Sequence, residues 1–205
     1  MSASGLRDQT VVMLHGLGRT RRSLAGMDRA LNERGFSTLR VGYPSRSQSI
    51  EAHARGVAKL LEQTPVNQKI SFVSHSLGGL IVRQLCTYDA PWRERMSRIV
   101  MLAPPNRGAS LASTLDQGGV IRRILGPSYV QIAEGFAETL PVPDVPFAIF
   151  AGDAPGVPGD GLLTVDETRL DGAAEHHVVP AIHTFIMNHP EVIRGTAAFL
   201  SAAPD

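Results

Sequence analysis

The chain has 205 residues, 20 Lys+Arg against 19 Asp+Glu, and a formal net charge of +1, so it lacks the one-signed field that draws nucleic acid or an anionic membrane surface. Hydrophobic residues at 43% and charged residues at 19% fit a soluble globule rather than a disordered chain, and the length suits one domain, residues 1–205, better than two. The single cysteine, Cys86, excludes an internal disulfide and a C-x-x-C metal pair.

The first apolar run is TVVML at 10–14, which is β-rich and ends at His15-Gly16. Leu24, Met27 and Leu31 then recur at helical spacing over 23–34, with Gly35 as a natural stop. A second strand is predicted at 37–41, and a helix at 50–62 places Val57, Leu60 and Leu61 on one face. KISFVS at 69–74 reads as the third strand and leads into a helix from Ser76 to about Thr87. RIVML at 98–102 reads as the fourth and ends at Ala103-Pro104-Pro105, and PFAIFA at 146–151 as the fifth. HHVVPA at 176–181 is a shorter sixth, with Pro180 marking an edge or a strand end. A closing helix spans 191–202.

Strands alternating with helices imply an α/β fold with a mostly parallel sheet covered on both faces. In such sheets the ligand crevice lies at the carboxyl ends of the strands, so a functional motif belongs just after one. The stretch 106–145 breaks the rhythm, with Gly118-Gly119, an apolar helical pattern at Val120, Ile121, Ile124 and Leu125, and a Pro-rich exit. It is too long for an ordinary connection. It reads either as a crossover helix with extra loop or as a cap or pocket-lining insertion. No apolar run reaches the length of a membrane span, and the opening MSASGLRDQT has no apolar signal core. The expectation is a cytoplasmic protein with no integral membrane segment, no nucleic-acid partner, and no metal or organic cofactor.

Ser74-His75-Ser76-Leu77-Gly78-Gly79 sits where the third strand meets a helix. A serine on such a turn projects its Oγ at the top of the sheet, above a helix N-terminus, and needs small neighbours two positions away. Gly78 meets that need, and Ser74 stands in place of the first glycine of G-x-S-x-G. The competing reading is that Ser76 only caps the helix. His15-Gly16-Leu17-Gly18 follows the first strand, where glycines let a backbone N–H approach a developing oxyanion. Leu17 and the residue after the serine, Leu77, are the expected donors. His15 is expected to orient its loop, and Arg19, Arg21 and Arg22 to be solvated at a helix start or, alternatively, to meet an anionic substrate group.

Of the 7 histidines, His183 lies in a loop after the last strand, from which a base can reach over the sheet to the serine. His177 is the next candidate. His53 is expected to be solvated near a helix start, His75 to point away from the serine hydroxyl, and His189 to help start the last helix. The acid belongs in the loop after the fifth strand, which offers Asp153, Asp160 and Asp166. Asp160, between Gly159 and Gly161, is best placed to turn its carboxylate inward.

HGLGRT (15–20), SHSLGGLIVR (74–83), APPNRGAS (103–110), DGLLTVDETRL (160–170) and IHT (182–184) together resemble the α/β-hydrolases. The resemblance is to their small lipase/esterase branch, which includes minimal bacterial lipases and GPI inositol-deacylase-like lipases. It covers the chain from about residue 10 to its end and implies a minimal six-stranded version of that fold. It further implies a Ser-His-Asp triad of Ser76, His183 and Asp160, an oxyanion hole at Leu17 and Leu77, and a small-molecule or lipid ester as substrate. A thioesterase, amidase or acyltransferase on the same triad, or a catalytically idle hydrolase-like binding module, are the alternative readings.

Overall fold

The computed structural model describes residues 8–110 and 120–202, residues 120 and 121 by backbone alone. Six strands form one sheet in the order β2-β1-β3-β4-β5-β6. They are β1 (Gln9–Leu14), β2 (Ser37–Val41), β3 (Lys69–His75), β4 (Met96–Leu102), β5 (Phe147–Gly152) and β6 (Glu175–Val179), and every neighbouring pair is parallel. The four inner strands carry near-continuous apolar runs and are buried almost throughout, as expected where helices cover both faces. The outer strands β2 and β6 are largely half-buried or exposed.

The helices follow from local patterning. A 3₁₀ turn (Arg21–Leu24), capped by Thr20, precedes α1 (Ala25–Glu33), so the expected helix at 23–34 begins as a tighter turn. Met27 and Leu31 bury its inner face. In α2 (Ile50–Leu61) Ser49 accepts a hydrogen bond from the Ala52 N–H, a normal N-cap. Its inner stripe is Ile50, His53, Ala54, Val57 and Leu61. His53 is therefore only 2% exposed and packs beside the Tyr43 ring, which corrects the expectation that it is solvated. Its position three residues after Ile50 puts it on the core face. α3 (Leu77–Leu85) packs against α2, while the C-terminal helix α6 (Pro190–Ser201) packs against α1. Among the described residues no helix is long and apolar enough to cross a membrane.

Between β4 and β5 lie α4 (Val120–Leu125), α5 (Pro127–Ala133) and a 3₁₀ turn (Phe136–Thr139). Gly118 and Gly119 lie outside the described residues, as do the side chains of Val120 and Ile121. α5 is docked on the start of α2. Ser128 donates to the Gln48 carbonyl at 2.8 Å, and the Gln131 amide accepts from the Ile50 N–H at 2.7 Å while donating to Glu51 at 2.8 Å. Gly126 (φ 80) lies so close to Arg46 that a Cβ would collide with that residue's carbonyl oxygen.

Both roots of this excursion converge on Arg83 of α3. Its guanidinium donates to Asn106 Oδ1 (3.1 Å), the Leu140 carbonyl (2.6 Å) and the Pro141 carbonyl (3.1 Å). Asn106 in turn donates to the Thr168 carbonyl at 2.9 Å. Burial lowers the Arg83 pKa to about 10, so the group remains a cation at neutral pH.

Phe72, at the middle of β3, is fully buried. Phe72→Ala leaves a cavity between close-packed layers and is expected to cost about 3–5 kcal/mol, read as a lowered midpoint in urea denaturation.

Candidate active site

Ser76 sits at the junction of β3 and α3 with φ 52 and ψ −121, a backbone conformation rare for a residue with a side chain. The turn is held by main-chain bonds, Ser76 N–H to the Leu102 carbonyl at 2.9 Å and Gly79 N–H to the Ser76 carbonyl at 2.8 Å. Ser76 occupies the N-cap position of α3 but its side chain makes no capping hydrogen bond, so a capping role does not account for it. Gly78 lies against the end of β1, where an added Cβ would sit 2.7 Å from the Leu14 carbonyl oxygen. Ser74 is fully buried and its hydroxyl donates to the Val100 carbonyl at 3.3 Å. It thus faces β4 rather than the crevice.

The loop after β1 is built around His15. The ring is buried, donates from Nδ1 to the Gly16 carbonyl at 2.9 Å and stacks on Tyr43 with centroids 4.1 Å apart. Tyr43 donates its hydroxyl to the His15 carbonyl, and Ser45 accepts from the Gly18 N–H at 3.0 Å. Burial lowers the His15 pKa and favours the neutral ring. Gly18 has φ 66, a conformation that favours glycine.

The acid and base candidates come from the loops after β5 and β6. Asp160 is 2% exposed, and its Oδ1 accepts from the Leu162 N–H (2.9 Å) and the Leu163 N–H (2.7 Å). Its Oδ2 accepts from His183 Nδ1 at 2.7 Å, and its main-chain carbonyl accepts from the His183 N–H at 2.9 Å. A ring that donates from Nδ1 to a carboxylate leaves Nε2 as its acceptor when neutral. The flanking Gly159 (φ 56) and Gly161 (φ 91) both adopt the left-handed conformation that the turn requires. Asp153 and Asp166 are exposed, and Asp166 pairs with Arg107 and Arg169. His177 is exposed and meets Glu175, and His176 meets the Thr168 hydroxyl. His189 sits at the N-cap of α6 without a side-chain capping bond.

Ser76 and His183 line one cavity of about 210 Å³. Leu17 and Arg19 contribute from the β1 loop, Leu162 and Leu163 from the acid loop, and Leu125, Tyr129 and Ile132 from α4 and α5. The wall is overwhelmingly apolar. Leu77, the first residue of α3, is buried beneath the serine, where main-chain N–H groups have no intrahelical acceptor.

Two polar side chains reach the His183 loop. His75 lines this cavity, donates from Nε2 to the His183 carbonyl at 3.0 Å, and lies 4.9 Å from the His183 ring. Arg19 is not a solvated helix-start residue, because its Nη2 donates to the Thr184 carbonyl at 2.8 Å. Glu167, which carried no signal in the sequence, ties the acid loop together. It accepts from the Thr164 N–H at 2.7 Å and from the Ser110 N–H at 2.5 Å.

Solved structures with the same architecture include the mature lipase BlEst2 of Bacillus licheniformis, at 15% identity with a TM-score of 0.73 over 95% of this chain and 92% of that one. The metagenomic carboxyl esterase MGS0156 is similar at 18% identity and TM-score 0.72 over 94% and 75% of the two chains. A thermophilic esterase from Thermogutta terrifontis is similar at 16% and 0.68 over 94% and 89%. At these identities the likeness is one of fold. No curated protein matches the chain. The family model for the alpha/beta hydrolase fold matches residues 9–145, and with that match the chain belongs to the alpha/beta hydrolase fold family.

Proposed function

We propose that the protein is a serine hydrolase that cleaves carboxylic esters through an acyl-Ser76 intermediate. The observation that carries this reading is that a serine in a strained strand-to-helix turn shares a cavity with His183, whose ring is held through Nδ1 by the buried Asp160. Lipases and esterases among the structures of like fold support the same reaction class.

In this mechanism His183 Nε2 takes the proton of Ser76 as Oγ attacks the ester carbonyl carbon. Asp160 keeps the imidazole in the tautomer with its free lone pair on Nε2 and stabilises the imidazolium that forms. The negative charge on the former carbonyl oxygen is met by the main-chain N–H groups of Leu17 and Leu77. Collapse of the tetrahedral species breaks the bond to the alcohol, which leaves with the proton from His183. Water, deprotonated by the same ring, then attacks the acyl-serine, and Oγ departs with that proton. The chemistry needs no cofactor.

The cavity wall argues for an apolar acyl group. We assign the 106–145 stretch the role of a pocket-lining insertion within a single hydrolase domain, because Leu125, Tyr129 and Ile132 face the same space as Ser76. An acyl chain seated there is desolvated at roughly 25 cal/mol per Å² of apolar surface, so longer linear acyl esters bind better until the wall is reached.

Ser76→Ala is expected to lower kcat on p-nitrophenyl esters by about 10⁴-fold or more and to abolish labelling by a fluorophosphonate, with circular dichroism unchanged. Near-normal turnover by that variant would overturn the assignment, and a panel of esters, thioesters and amides fixes the leaving group.

The glycines around the acid provide a second check. A Cβ on Gly159 would collide with the Leu163 carbonyl oxygen, whereas one on Gly161 meets only Val157 Cγ2 at 3.9 Å. Gly159→Ala must displace the Asp160 turn and is expected to lower kcat by about 100-fold. Gly161→Ala carries only the conformational cost of about 1–2 kcal/mol, and it is expected to lower the thermal midpoint while keeping most of the turnover.

A further inference from the structure

The base candidate is held by more than its carboxylate. Two consecutive main-chain carbonyls at His183 and Thr184 each accept a hydrogen bond from a side chain far away in sequence. His75 Nε2, from the turn that carries Ser76, donates to the His183 carbonyl at 3.0 Å. Arg19 Nη2, from the loop after β1, donates to the Thr184 carbonyl at 2.8 Å. On its other side His183 is fixed to Asp160 by both its N–H and its ring. The loop after β1, the last residue of β3 and the loop after β5 therefore converge on this pair of neighbouring residues.

Neither side chain makes another hydrogen bond among the described residues. Among the described residues Arg19 makes no ion pair, and its buried Nε has no partner. Arg19 lines the cavity with Nε shut away from solvent and Nη2 spent on Thr184. His75 is 1% exposed, and its Nδ1 is buried without a partner against Gly16, where an added Cβ would come within 2.7 Å of that nitrogen. Donation from Nε2 places the ring's single proton there. Burial, together with the nearby His183 and Arg19, disfavours the charged form of His75. A neutral ring is what the position requires, because a second cation 4.9 Å from His183 would oppose the imidazolium formed during catalysis.

We propose that Arg19 and His75 are positioning residues that hold the His183 loop in register with Ser76, so that the oxyanion loop and the base move as one unit. The proposal rests on the esterase reading above for its kinetic consequence, and on geometry alone for its structural one. Among the described residues neither side chain hydrogen-bonds to the Ser76 hydroxyl or to His183 Nε2. Each limits the drift of a ring that must face the serine, then the leaving alcohol, then water, and a displacement of about 1 Å at such a site can cost about 100-fold in rate.

The test is a set of four variants, Arg19→Met, Arg19→Lys, His75→Leu and His75→Gln, measured for kcat and KM on a p-nitrophenyl ester. The downfield Nδ1 proton of His183 is followed in parallel by NMR. Arg19→Met and His75→Leu are expected to lower kcat about 10-fold to 100-fold at nearly constant KM, and to broaden or lose that proton signal. Arg19→Lys and His75→Gln, which keep a donor near the same place, recover part of both. A raised KM with unchanged kcat in Arg19→Met would make Arg19 a substrate contact and overturn the proposal, as would unchanged kinetics and an unchanged resonance. His75→Leu alters a buried site, so Arg19→Met, at a half-buried position, is decisive if the former fails to fold. A wild-type protein inert to esters and to a fluorophosphonate would sink the esterase reading instead, while the His183 resonance in Arg19→Met would still decide the positioning role.

Discussion

Parallel pairing throughout the sheet sends the chain out of every strand at one edge. The loops after β1, β3, β5 and β6 therefore meet there, although they are separated by most of the sequence. An oxyanion loop, a nucleophile turn, an acid and a base can then be supplied by four different connections, each anchored on a buried strand. The buried apolar runs of β1, β3, β4 and β5 supply the rigidity. Ser76 sits one position beyond the last residue of β3, His183 four beyond that of β6 and Asp160 eight beyond that of β5, where the backbone is free to turn.

That edge is also where strain collects. The two described non-glycine residues with positive φ are Ser76 and Ala103, at the exits of the adjacent strands β3 and β4. Each such residue costs on the order of 1–3 kcal/mol. The offset comes from main-chain bonds across the sheet edge, Ser76 N–H to Leu102 and Ala103 N–H to Phe150 at 2.7 Å. Close approach is the other requirement, met at Gly16 against His75 and at Gly78 against Leu14.

The sheet was legible because its inner strands are near-continuous apolar runs, and such runs tolerate little else. Asp160 stands out through the two glycines that flank it, and His183 through its place after the last strand. The identity of each helix face was harder to read, as His53 shows, since a polar residue on an inner stripe is indistinguishable from a surface one without its neighbours. In the sequence Arg19 reads as solvated or as a contact for an anionic substrate group, and His75 as pointing away from the serine hydroxyl; neither reading reaches the contacts they make. Their partners, the carbonyls of residues 183 and 184, carry no side-chain signature and lie more than a hundred residues downstream. Contacts made through main-chain atoms leave no trace in residue type. Side chains that serve the backbone of a distant loop are thus the part of such a site least visible in sequence.

Arg83 has a consequence of its own. One side chain, rooted in the helix that begins just after Ser76, closes both ends of the excursion between β4 and β5 through Asn106, Leu140 and Pro141. Between those points α5 has a second anchorage, on the start of α2 through Ser128 and Gln131. Side chains of α4 and α5 that face the cavity can change while both anchorages are kept. Without the arginine, the Leu140 and Pro141 carbonyls and the Asn106 amide oxygen would lose this partner. The sheet edge that carries Ser76 and the apolar lining beside it are thereby heritable as separate parts of one small chain.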